Sequence, residues 1–184
     1  MKYIYLHGLG QTPDSWNKVL KELHSPETAL CPNLAKLMPD GNADYSSLYT
    51  AFSNLCNTIN DELVLCGLSL GGVLALNYTI DHPEKVKSLI LIATPYKMPK
   101  QLLRLQNLLF HFMPKSAFSQ TGFQKTDFIR LCHSMAELDF SRSLRKVTCP
   151  VLVLCGEHDR ANQKAARMLA CLLKNTQFQL VPGA

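Results

Sequence analysis

Glu62-Leu63-Val64-Leu65-Cys66-Gly67-Leu68-Ser69-Leu70-Gly71-Gly72-Val73-Leu74-Ala75-Leu76 reads as a buried strand, a tight turn and a buried helix in immediate succession. Leu63–Cys66 is an unbroken apolar run, as a strand covered on both faces must be. Glycines bracket the single serine at positions 67 and 71, where a side chain would collide with neighbouring backbone. The pattern puts Ser69 on a strained turn that lifts its hydroxyl above the sheet edge. The helix that follows starts beneath the serine, so its dipole and its free N–H groups favour negative charge there. A bare Gly-x-Ser-x-Gly arises often by chance and can be no more than a loop; the strand and helix flanks give this one its weight.

The same alternation extends outward along the chain. Apolar runs at Tyr3–Leu6, Ala29–Cys31, Val86–Ala93, Val151–Cys155 and Gln177–Val181 join Glu62–Cys66 as strand candidates. Between them, apolar residues fall at helical spacing: Trp16, Val19, Leu20, Leu23; Leu48, Phe52, Leu55, Ile59; and Ala165, Met168, Leu169, Leu172. Such alternation predicts an α/β fold, a mostly parallel sheet with helices on both faces. One stretch breaks the rhythm. Residues 95–143 hold no strand candidate but two helical stripes, Leu102-Leu105-Leu109-Phe112 and Phe128-Leu131-Cys132-Met135. With Pro95, Pro99 and Pro114 punctuating it, the stretch reads as a helical cap inserted into a core of 1–94 and 144–184; long crossover helices are the plainer alternative.

Composition narrows the class. The 184 residues hold 47% hydrophobic and 18% charged side chains, ordinary for one globular domain. The net charge of +5 is scattered, without the basic block interleaved with aromatics that nucleic acid would call for. Seven cysteines show no Cys-x-x-Cys pair and no zinc spacing, so no metal is expected. Several sit inside apolar runs as free buried thiols, which points to a reducing, cytoplasmic compartment. His7-Gly8 follows Met1 too soon for a signal peptide, and no apolar stretch is long enough for stable membrane insertion. Oligomeric state leaves no trace in the sequence.

Two further segments gather chemistry at the same rim. His7-Gly8-Leu9-Gly10 closes the first strand, where a His-Gly pair commonly aims a backbone N–H at an oxyanion. The candidate donors are the N–H groups of Leu9 and Leu70; His7 itself reads as a brace for the loop. Val151–Asp159 is a strand that ends in Gly156 and delivers Asp159 as the candidate acid, with Glu157 the weaker choice. The plainer alternative for Asp159 is a helix N-terminal residue ahead of Asn162–Lys174.

These segments together resemble the α/β-hydrolase superfamily, in particular small bacterial esterase-like members with a helical cap after the sixth strand. The resemblance rests on His7–Gly10, residues 67–72, His82–Ile92, Cys149–Asp159 and Leu180–Ala184, with the serine preceding the acid as in the superfamily. It implies that Ser69 is the nucleophile, Asp159 the acid, and Leu9 and Leu70 the oxyanion donors. It implies no cofactor, and a small-molecule carboxylic ester or thioester as substrate. There are two departures. The first two strands of the superfamily are absent, and the last strand meets Gly183-Ala184 where the superfamily places Gly-His. His111 and His133 lie in the cap, His24 and His82 read as surface or helix-end residues, and His158 neighbours Asp159 on one turn. The expectation is therefore a truncated and nearly inactive hydrolase. A C–C hydrolase or lyase on the same scaffold, a binding module without catalysis, and an interfacial lid at Lys100–Met113 are the alternatives.

Overall fold

The computed structural model describes residues 1–23, 28–38, 43–98, 112–114, 118 and 123–184. Six strands, β1 (Lys2–Leu6), β2 (Ala29–Leu30), β3 (Leu63–Leu68), β4 (Val86–Ile92), β5 (Val151–Gly156) and β6 (Thr176–Val181), form one sheet. Their order is β2-β1-β3-β4-β5-β6 and every neighbouring pair is parallel. Each strand falls on one of the apolar runs. The chain steps outward from β1 to β2, then returns to lay β3 on the other side of β1. That reversal opens a crevice at the C-terminal ends of β1 and β3, where ligands of open α/β sheets bind.

Successive strand residues feed two cores, which is why the runs are continuously apolar. Ile4, Leu6, Leu65, Leu89 and Leu91 join the larger cluster. Tyr5, Cys66, Ile90 and Ile92 join a smaller one around Trp16 on the opposite face. The helices are α1 (Asn17–Lys21), α2 (Leu34–Leu37), α3 (Tyr45–Asn57), α4 (Leu70–Asp81), α5 (Lys125–Met135) and α6 (Arg160–Leu172). Asp44 caps α3 by accepting the Ser47 N–H at 2.8 Å, and α3 buries Tyr45, Leu48, Phe52 and Cys56.

Three expected helical faces shift. α1 is a five-residue helix with Val19 exposed, and Trp16 reaches its core from a 3₁₀ turn at Pro13–Trp16. α3 ends at Asn57, so Ile59 packs from beyond the helix. α6 buries Ala166 and Leu169 and leaves Met168 and Leu172 outside. For α6 the contact with β5 and β6 chose the face, because a stripe of short apolar residues underdetermines which side of it wins.

The excursion between β4 and β5 leaves and re-enters at one point. The Met98 N–H donates to the Leu138 carbonyl at 3.0 Å and that of Phe140 to the Tyr96 carbonyl at 2.9 Å. A Lys97–Asp139 ion pair of 2.9 Å closes the same neck; Ser141 and Lys97 hold the Asp139 carboxyl well below the usual carboxylate range. The helix expected over Leu102, Leu105, Leu109 and Phe112 lies outside the described residues except at Phe112, which is exposed. The second is α5, which buries Phe128, Leu131, Cys132 and Met135 as the spacing predicts. No described helix is long and apolar enough to cross a membrane.

Leu65 is fully buried between sheet and helices, so Leu65→Ala is expected to lower the unfolding free energy in urea titration by about 2–5 kcal/mol.

Candidate active site

Backbone crowding builds the turn at Ser69. An added Cβ at Gly67 would lie 2.4 Å from the Gly71 carbonyl carbon, and one at Gly71 would lie 2.3 Å from the Leu6 carbonyl oxygen. At Gly72 it would meet Thr94 Oγ1 at 1.9 Å. The start of α4 is therefore pressed onto the ends of β1 and β3 at a distance only glycine permits. Ser69 absorbs the bend with φ 50° and ψ −112°, a region that costs a non-glycine residue on the order of 1–3 kcal/mol. Its N–H donates to the Ile92 carbonyl and its own carbonyl accepts from the Val73 N–H, each at 2.9 Å. The side chain is exposed, and no hydrogen bond to another described residue engages its hydroxyl.

The loop after β1 is held from three sides. His7 Nδ1–H donates to the Gly8 carbonyl at 2.9 Å, and His7 Nε2 accepts the Leu34 N–H at 3.1 Å. Both ring nitrogens are spent, and burial lowers the imidazole pKa, so His7 is a neutral brace. The Gly8 N–H donates to Gln11 Oε1 at 2.9 Å, and the Gln11 N–H returns to the Gly8 carbonyl at 3.2 Å. Gly10 turns with φ 84°, and the Phe128 ring stands 3.4 Å from where its Cβ would be. Phe118 and Phe123 pack edge-on against that ring with centroids 4.8 and 5.7 Å away. Neither the Leu9 N–H nor the Leu70 N–H donates to another described residue. β1 and β3 pair through Leu6 and Gly67, so the two N–H groups leave the sheet from adjacent strand ends.

Asp159 stands farther along the rim. It is the N-cap of α6, with Oδ1 accepting the Asn162 N–H at 3.2 Å and Oδ2 accepting Asn162 Nδ2 at 2.8 Å. β4 separates β3 from β5, so two strand spacings, about 10 Å, lie between the strand ends that carry Ser69 and Asp159. The two residues do not touch. Glu157 is otherwise engaged: Oε2 accepts the Gly183 N–H at 3.1 Å. The His158 N–H donates to the Ala184 carbonyl at 2.7 Å, which seats the chain after β6 against the Asp159 turn.

Among the described residues no histidine is hydrogen-bonded to Ser69 or Asp159. His82 stacks on Tyr78 with centroids 4.4 Å apart. His133 lines a cavity of about 380 Å³ with Asp44, Arg130 and Ser134. His24 and His111 lie outside the described residues. Among those described, no three His, Cys, Asp or Glu side chains gather as a metal site. Gln11, Thr94 and Phe128 are the residues that sequence reading missed at the rim. They carry no motif, and only packing brings them there.

A model described as the alpha/beta hydrolase family matches residues 4–184. The chain belongs to the alpha/beta hydrolase family. Solved members share the architecture at low identity. The structure of MenH from S. aureus superposes with TM-score 0.79 at 16% identity, covering 100% of this chain and 85% of that one. An enol-lactonase from Burkholderia xenovorans LB400 gives 0.79 at 15%, covering 98% and 82%. A thermophilic esterase from Thermogutta terrifontis gives 0.76 at 20%, covering 99% and 81%. Among curated relatives, the pimeloyl-[acyl-carrier protein] methyl ester esterase of Aromatoleum aromaticum is 34% identical over 92 residues, 50% of this chain and 36% of the relative. That of Citrobacter koseri is 29% identical over 91 residues, with the same shares. The matched stretch is thus little more than a third of the length of these relatives.

The burial of His7 ties the stability of this loop to pH. Burial lowers the His7 pKa in the folded state, so unfolded chains bind the extra proton first as pH falls. Stability from this group is full above the unfolded value of about 6.5 and is lost as pH drops below it. Urea titrations at pH 8 and pH 5 are expected to show that loss in the wild type and a smaller one in His7→Gln.

Proposed function

We propose that this chain is a serine hydrolase of a carboxylic ester or thioester, working through an acyl-enzyme on Ser69. The observation that carries the reading is the strained, exposed Ser69 at the start of α4, together with two N–H groups that have no acceptor among the described residues. In the mechanism a base takes the Ser69 proton and Oγ attacks the carbonyl carbon. The N–H groups of Leu9 and Leu70 hold the oxyanion; losing one such donor costs roughly 3–4 kcal/mol of barrier. Collapse expels the alcohol or thiol with the proton from the base, and water then cleaves the acyl-enzyme by the same path. The gap of about 10 Å between the ends of β3 and β5 suits an imidazole bonded at once to Ser69 and Asp159.

No described histidine fills that gap, so these 184 residues are expected to turn over only what the oxyanion donors support, roughly 10³–10⁴ over water. The Phe118, Phe123 and Phe128 rings above Gly10 favour an apolar acyl or aryl group, with the 95–143 segment acting as a cap. The curated relatives' names, methyl ester esterases, favour an ester over a peptide. Seven free cysteines, five of them buried, suit a cytoplasmic enzyme. The same unfilled gap is the observation that favours a second reading, a binding protein on a hydrolase scaffold.

Intact mass after fluorophosphonate exposure separates the two. The proposal expects little adduct on this chain, a full adduct when Gly-His is appended after Ala184, and none in the Ser69→Ala form of the extended chain. An extended chain that stays unlabelled would favour the binding protein.

A further inference from the structure

The outer face of α6 is used neither by the sheet nor by the proposed chemistry. Of its thirteen residues only Ala166 and Leu169 are buried. On the other side Met168 and Leu172 sit one turn apart and are 52% and 46% exposed. Arg160 and Lys164 lead into this pair along the same i, i+4 row, Arg167 flanks it, and Lys174 follows the helix; all four are exposed. No Asp or Glu occurs from Arg160 to Lys174, and none of these cations joins an ion pair among the described residues.

Two features set this face apart from an ordinary solvated surface. Helices gain from acids in the first turn and cations in the last, yet here Arg160 stands at the first position, behind the Asp159 cap, and the last turn holds no cation. Arg167 also has a fixed neighbour: its guanidinium carbon lies 5.0 Å from the centroid of the Phe178 ring, which steadies the charge beside this face. A cationic half and an adjoining apolar half on one rigid helix complement an acidic amphipathic helix.

We propose that the outer face of α6 docks an acidic, amphipathic helix of a partner protein, with carboxylates on Lys164 and Arg167 and an apolar side chain between Met168 and Leu172. A lipid surface fits less well, because the apolar side that an interfacial helix must turn to the bilayer is here fixed on the sheet, and the exposed side bears no Trp or Phe. Nucleic acid would use the cations and leave the Met168–Leu172 pair without a role. A helix of this length offers a small interface, so the contact is weak and sensitive to salt.

The test needs no catalysis, so its failure is separate from failure of the hydrolase reading. A fluorescent synthetic helical peptide with Glu flanking paired Leu is titrated into the 184-residue chain and followed by anisotropy. Saturable binding is expected, weakened about tenfold in Lys164→Glu/Arg167→Glu and several-fold in Met168→Ser/Leu172→Ser. The α1 variant Lys18→Glu/Lys21→Glu is expected to bind within about twofold of wild type, since net charge alone is not the determinant. Bound peptide is also expected to slow alkylation of Cys171, the exposed thiol on this stripe. Absence of saturable binding, equal loss in the α1 variant, or preferential capture of phosphatidylglycerol vesicles or duplex DNA over the peptide would overturn the proposal.

Discussion

The N-terminus of α4 lies closer to the ends of β1 and β3 than any side chain allows, and most of the rim follows from that contact. Backbone meets backbone at Gly67, Gly71 and Leu6, with Thr94 closing the third side against Gly72. A chain that must turn from strand to helix within this space has one residue in which to do it. Ser69 takes the strain, and in doing so it exposes its hydroxyl and points it away from the sheet. The strain of this one residue is supported by the burial of Leu70, Val73, Leu74, Ala75 and Leu76 in the helix behind it. Burial on that scale outweighs a penalty of about 1–3 kcal/mol several times over.

The neighbouring loop is rigid for a different reason. Its polar groups are satisfied from within by His7 and Gln11 and from α2 by the Leu34 N–H. The Phe128 ring closes it from the side of the excursion. The Leu9 N–H donates to no described residue, and neither does the Leu70 N–H that opens α4 after the adjacent strand. In the proposed mechanism an oxyanion would be met there by preorganised donors rather than by side chains that have to move.

Asp159 shows how one residue can serve two readings. Its carboxylate caps α6 through Asn162, which is a sufficient structural reason for an acid at that position. The cap also fixes the carboxylate at the C-terminal end of β5, on the rim that Ser69 shares. Chain segments on both sides confirm how tightly this corner is packed: a Cβ at Gly156 would come within 2.7 Å of the Ala184 carbonyl oxygen.

All six strands, their parallel pairing and the Ser69 turn were legible in the sequence: a strand buried on both faces, as β3 is, needs continuous apolar residues, and a backbone contact has no choice but glycine. The helix over Phe128, Leu131, Cys132 and Met135 was legible for a related reason, as one stripe with a single partner face. Which side of α1 and α6 turns inward was not: Ala165, Ala166, Met168 and Leu169 offer two overlapping stripes, and only contact with the sheet selected Ala166 and Leu169. Nor could sequence foresee Thr94 against Gly72, Gln11 on Gly8 or Phe128 over Gly10, since residues far apart in the chain meet there without any motif. Local chemistry determined the elements and the strained serine; the long-range packing of strands decided which groups surround it.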